Sequence, residues 1–182
     1  MFIVPIDENI NLKLIMYNEA EVFFNLIEKN REYLQTFMPR ISENKALTKT
    51  QKVIELFFNQ LKENNGFRCG IYYQNSLIGV CGLKYIDWIN KSTEIMYWID
   101  REYSGKGITS KCVKKLIHLV FNSYKLNRIV IKSSKKNRSS IRIAEKCNFK
   151  KEGLLREEES LNEKFTDVYI FSILKREYKG DI

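Results

Sequence analysis

One stretch constrains this chain more than any other: "YWIDREYSGKGITSKCVKKL", Tyr97 to Leu116. An extended apolar run ends at Asp100, two glycines follow with a lysine between them, and a helical pattern begins at once. Cys112/Val113, Leu116/Ile117 and Val120/Phe121, with Tyr124, recur at helical spacing, while Lys111, Lys114 and Lys115 take the other face. A strand that enters a long helix through so short a loop leaves the first helical N–H groups unpaired and the positive end of the dipole exposed. A phosphate placed there gains hydrogen bonds and favourable charge. Gly105 and Gly107 allow close approach and positive φ, Lys106 adds charge, and Thr109 and Ser110 stand as the helix cap. The spacing excludes a Walker A loop, and the dinucleotide fingerprint would need a glycine at Ser110. On spacing alone, a plain tight connection explains the loop more readily than a phosphate cradle does.

The rest of the chain supplies the context. "NLKLI" (Asn11–Ile15) alternates as a first strand, and residues 19–37 form a helix broken by "MPR" at Met38–Arg40. Thr48 with Gln51 reads as a capping box opening a second helix through about Asn64. Strands follow at Phe67–Tyr73 and Leu77–Ile86, joined by "QNS", then at Ser92–Asp100 and Asn127–Ser133. A short helix spans about Ser139–Cys147, and two last strands, about Lys151–Leu161 and Lys164–Leu174, meet at "NE". This order predicts an α/β (α+β) fold with a mixed sheet of about seven strands and helices on both faces. At 182 residues, one domain over 1–182 is expected.

Composition narrows the setting. No apolar run approaches the ~20 residues that span a bilayer, and "MFIVPIDENI" meets acids and a proline too early for a signal peptide. A cytoplasmic protein without a membrane partner is expected. Cys69, Cys81, Cys112 and Cys147 form no C-x-x-C pair and have one histidine between them, so no metal site is expected and each reads as a reduced core residue. The net charge of +9 favours an anionic partner, or merely keeps the surface solvated. No aromatic-basic RNA motif is present, so nucleic acid is not the expected partner.

The chain resembles the GNAT N-acetyltransferases, and within them the branch that acetylates ribosomal-protein N-termini (RimJ/RimL type). The resemblance rests on "NREYLQTFMP", "EIMYWIDREYSGKGIT", "NRSSIRIAEKCNF" and "DVYIFSIL", in order and at plausible spacing over nearly the whole chain. Ser104 stands where the family has Gln or Arg, Thr109 at a Gly/Ala position, Met96 at a frequent glycine, Asn148 at the glycine before Phe149, and Phe171 at a frequent tyrosine. The resemblance implies a sheet splayed in the middle and acetyl-CoA as cosubstrate. It implies that Ser104, Gly105, Lys106, Gly107, Ile108, Thr109 and Ser110 hold the pyrophosphate. Ile95, Met96, Tyr97, Trp98 and Ile99 then contact the acetyl-pantetheine arm, one N–H meeting the thioester oxygen. Asn137 would bond the pantetheine, although as a residue it equally suits a helix cap.

The chemistry needs a neutral amine and a stabilised leaving thiolate. An α-amine has a pKa of about 7.7–8.0 and a lysine amine about 10.4, so an N-terminal acceptor requires only a modest base. Glu94 is the base candidate, acting through a water, although an acid at a strand end is also explained by solvation or an ion pair. The resemblance implies that Ser140 sits near the sulfur, as the candidate for relaying a proton or holding the thiolate. The acidic run "REEES" (Arg156–Ser160) suits either an acceptor groove or a solvated edge. His118 reads as a helix-flank residue and Cys147 as core, since direct transfer needs no thiol nucleophile. The expected function is acetyl transfer to a protein N-terminus. The alternatives are a small amine such as an antibiotic or polyamine, or a CoA-binding module without turnover. A homodimer is left open.

Overall fold

The computed structural model describes residues 3–38, 41, 45–161 and 164–180. Its elements are β1 (Ile3–Pro5), β2 (Ile10–Lys13), α1 (Ala20–Gln35), α2 (Leu47–Lys62), β3 (Phe67–Tyr73), β4 (Ser76–Asp87) and β5 (Ser92–Ile99). Then come α3 (Ile108–Asn122), β6 (Arg128–Ser134), α4 (Arg138–Lys146), β7 (Lys150–Leu161) and β8 (Lys164–Leu174). The strands form one mixed sheet in the order β1-β2-β3-β4-β5-β6-β8-β7. Every neighbouring pair is antiparallel except β5–β6.

The sheet has eight strands against about seven expected. The extra one, β1, is three residues long, ends in Pro5 and lies at an edge, too short to carry an alternation pattern. The β3–β4 connection is a two-residue turn in which Gln74 and Asn75 both adopt positive φ, 48° and 66°. That geometry matches the twist of the paired strands. Two expected caps are not found. α2 begins at Leu47 behind Ala46, with no side-chain cap, so Thr48 and Gln51 form no capping box. α3 begins at Ile108 behind Gly107, which places Thr109 and Ser110 inside the first turn rather than ahead of it. Pro39 and Arg40 of the expected helix break, and Asn162 and Glu163 of the last turn, lie outside the described residues.

Helices cover both faces. α1 and α2 bury Phe23, Ile27, Leu34, Ile54 and Phe57 against one side of the sheet. α3 and α4 bury Cys112, Val113, Leu116, Ile117, Val120 and Ala144 against the other. The side-chain period of two in β5 feeds both cores: Ile95 and Ile99 join the α3/α4 side, whereas Met96 and Trp98 join the α1/α2 side. Trp98 stacks on Phe23, with centroids 6.2 Å apart and planes 14° from parallel. The four cysteines are free and buried. Among the described residues, no helix is long and apolar enough to cross a membrane.

The feature that positions the site is a split in the sheet. β5 pairs with β6 only at Ser92, Thr93 and Glu94, opposite Arg128, Ile129 and Val130. Beyond that point β5 stays with β4 as far as Ile99, and β6 stays with β8 as far as Ser134. A bulge in β4, between Leu83 and Ile86, sits where the two parts diverge. An extra residue there bends and twists the strand pair away from its neighbour.

Candidate active site

At the top of the split, β5 is followed by Asp100, whose carboxylate accepts the Glu102 N–H at 3.1 Å. Lys29 of α1 bonds Asp100 and Glu102, each at 2.8 Å, and Asn30 accepts the Arg101 N–H at 2.9 Å. The loop is therefore pinned to α1 before the glycines begin. Gly105 and Gly107 have φ of 80° and 81°, and open space lies where a Cβ would stand at either. This left-handed backbone is the reason glycine occupies both positions. The N–H groups of Ile108, Thr109 and Ser110 have no acceptor among the described residues. They form an anion cradle with the helix dipole behind it.

From this cradle a cavity of ≈ 560 Å³ runs into the split. One wall is Ile95–Ile99, where alternate backbone N–H and C=O groups turn to the gap without a ladder partner. Ile131–Ser134 form the opposite wall, with Asn137 and Ser140 of α4 beside them. All the expected site residues line this cavity except Lys106. Lys106 instead lies over the Tyr103 ring, 4.9 Å from its centroid, and lines a smaller neighbouring cavity of ≈ 250 Å³ with Asp7 and Lys111. Asn137 caps α4, accepting the Ser140 N–H at 3.0 Å. It still borders the cavity, so the two readings of that residue do not exclude each other.

The cavity has chemically different ends on the two faces of the sheet. On the α3/α4 face, the Tyr97 hydroxyl lies 3.0 Å from Ser140 Oγ and 3.3 Å from the Ser140 carbonyl. Burial pushes the Tyr97 phenol far above its usual range, so it remains protonated near neutrality. Cys147 also sits on this side, buried at the end of α4, its thiol pushed up to about 11 by burial and its Sγ directed at the Ser110 carbonyl. Burial of this kind disfavours the thiolate, the nucleophilic form, at neutral pH.

On the α1/α2 face, Glu94 is buried and accepts a hydrogen bond from Lys84 at 2.9 Å. Glu159 of β7 is the residue that sequence reasoning left undistinguished within "REEES". It lines the cavity, and burial raises its carboxyl pKa, with the Glu94 charge adding to the effect. Among the described residues it has no hydrogen-bond or ion-pair partner, whereas its neighbour Glu158 is held by Lys132 at 2.6 Å. A bulge selects it. Register slips between Leu155 and Glu159, Glu157 takes a φ of 53°, and strict alternation therefore does not say which acid turns inward. Arg68, Tyr33 and Leu34 complete this end. Among the described residues, no group of His, Cys, Asp and Glu is disposed to hold a metal ion.

Comparison with known proteins agrees with this geometry. The profile of the acetyltransferase (GNAT) domain matches residues 9–150. YdaF of Bacillus subtilis, provisionally named a ribosomal N-acetyltransferase, is 32% identical over 183 residues, covering 100% of both chains. The ribosomal-protein-serine acetyltransferase of Escherichia coli is 30% identical over 171 residues, covering 93% of this chain and 94% of its own. Among solved structures, the Microcin C7 self-immunity acetyltransferase MccE, in complex with acetyl-CoA and AMP, superposes with a TM-score of 0.90 at 28% identity, covering 93% of this chain and 94% of that one. The cradle, the split sheet and these full-length likenesses make this chain a member of the GNAT family of N-acetyltransferases.

Proposed function

We propose that the chain transfers the acetyl group of acetyl-CoA directly to the α-amine of a protein N-terminus. The observation that carries this reading is the single cavity joining the anion cradle to two chemically different ends through the split sheet. Gly105, Gly107 and the first-turn amides of α3 suit the pyrophosphate. The unpaired backbone of Ile95–Ile99 suits an extended amide-bearing arm, and one of its N–H groups suits the charge that develops on the thioester oxygen. Ser140, backed by Tyr97, stands where a thiolate leaves on the α3/α4 face. Glu159, a free carboxylate raised in basicity by burial, takes the amine proton on the α1/α2 face, while Glu94 holds Lys84. An α-amine is partly neutral at pH 7, so a carboxylate of this strength suffices. The four reduced cysteines fit the cytoplasm, and the ribosomal-protein acetyltransferases among the relatives favour a protein acceptor.

The test is thiol release from acetyl-CoA in the presence of a peptide with N-terminal Ser or Ala, a polyamine, or no acceptor. Peptide-dependent release is expected. Release with the polyamine alone would transfer the chain to small-amine chemistry, and tight CoA binding with no release under any condition would make it a binding module.

A further inference from the structure

The amine end of the cavity holds a cation for which the reaction above has no use. Arg68 of β3 lines the cavity, yet among the described residues it has neither a hydrogen-bond acceptor nor a carboxylate, and its Nε is buried without a partner. Its guanidinium carbon lies 5.4 Å from the centroid of the Phe57 ring. The other charges at this end are accounted for: Lys84 holds Glu94, Lys132 holds Glu158, and Glu159 is left for the amine. An arginine does not escape by losing its proton. A half-buried guanidinium without a counter-charge is unfavourable until something supplies one.

Strand register gives the distance at which that group must arrive. Arg68 is opposite Gly82, and Gly82 is opposite Met96, on the stretch of β5 that borders the gap. Two strand spacings, about 10 Å, separate Arg68 from Met96 at the edge of the gap. An extended peptide advances about 3.3–3.6 Å per residue. With its amine in the gap, its second or third side chain comes within reach of the guanidinium. Gly82, between the two in register, offers no side chain to block the path.

We propose that Arg68 determines acceptor specificity by pairing with a carboxylate, and that the preferred acceptor is a polypeptide N-terminus bearing Asp or Glu at its second or third position. This rests on the N-terminal reading above. The fork of the guanidinium matches a carboxylate in two parallel hydrogen bonds. A polyamine would instead bring a second positive charge beside an unpaired one, which discriminates against it.

The experiment compares kcat/KM for matched peptides, N-terminal Ser followed by Asp at position two or three, against the same peptides with Asn. Wild type, Arg68→Gln and Arg68→Lys are each first shown to be folded by thermal melting. Wild type should favour an Asp peptide by about tenfold or more, the scale of one charged hydrogen-bonded pair. Arg68→Gln should bring the ratio to near one, mainly through KM, and Arg68→Lys should restore part of it. Equal rates on both peptides by wild type would overturn the proposal and leave the N-terminal reading standing. So would an equal loss on both peptides in Arg68→Gln, the mark of a merely structural arginine. Failure of wild type to acetylate any of the peptides would remove the N-terminal reading itself.

Discussion

Two hydroxyls, of Tyr97 and Ser140, meet at the α3/α4 end of the cavity. The phenol is held protonated by burial and can donate to the Ser140 carbonyl, so the serine O–H is free to turn toward a departing sulfur. Such help is greatest when charge has built up on the sulfur. Ser140→Ala should therefore lower kcat by about tenfold or more with little change in KM for acetyl-CoA. Steady-state kinetics decide it, and full activity in the alanine variant would remove Ser140 from the mechanism. Both residues are legible in the sequence, Ser140 through its place in "NRSSIRIAEKC" and Tyr97 through its place in the strand. Their partnership is not, because it depends on how α4 packs across β5. Glu159 marks the opposite limit. It is one of three adjacent glutamates, and only the slip in register between Leu155 and Glu159 turns it inward.

At the scale of elements, the loop and the β6–β8–β7 segment each carry a testable consequence. At Gly107 the backbone is left-handed, and the space above it is open. A valine would be strained by its own φ and would fill the place offered to a phosphate. Gly107→Val should raise the KM for acetyl-CoA by about tenfold or more, since it removes several charge-assisted hydrogen bonds together. An unchanged KM in a folded variant would contradict the cradle. On the far side of the split, Glu152 of β7 accepts from Arg128 of β6 at 2.8 Å and from Ser172 of β8 at 2.6 Å, tying three strands. Arg128, then Ser172, lowers its carboxyl pKa from 4.5 to about 2. Because the folded value is the lower one, the stabilisation is present above about pH 4.5 and is lost as pH falls toward about 2. Its side chain is 39% exposed, so solvent screening keeps the gain small. Melting temperature plotted against pH should fall less steeply in Glu152→Gln over that acid window, and parallel curves would refute the linkage. Periodicity made these elements readable. The helix starts were less so, because a cap is a matter of φ, and both Thr48 and Thr109 offered a suitable side chain at a position the backbone did not use.

For the whole molecule, the decisive fact is how little backbone joins its halves. Ser92–Glu94 against Arg128–Val130 is the entire ladder between β5 and β6. The sequence announces both strands but not where they part, since pairing depends on the β4 bulge and on β8 drawing β6 away. A seam of three residue pairs is short enough to serve as a hinge. Beyond it, the plate built on β4–β5 and the plate built on β6–β8 are joined by side chains alone, among them the Tyr97–Ser140 contact and the core under α3. Amides of Ile95–Ile99 that face the opening should then trade their protons with solvent quickly. A ligand that bonds those amides and also touches α4 is a strut between the plates. Hydrogen exchange followed with and without CoA should show those amides slowing by about tenfold or more on loading, with slower rocking reported from both plates together. Exchange that is unchanged by CoA would mean the plates are already locked. On that outcome the enzyme is stiffest while loaded, and each turnover ends with the loss of one of its own internal supports.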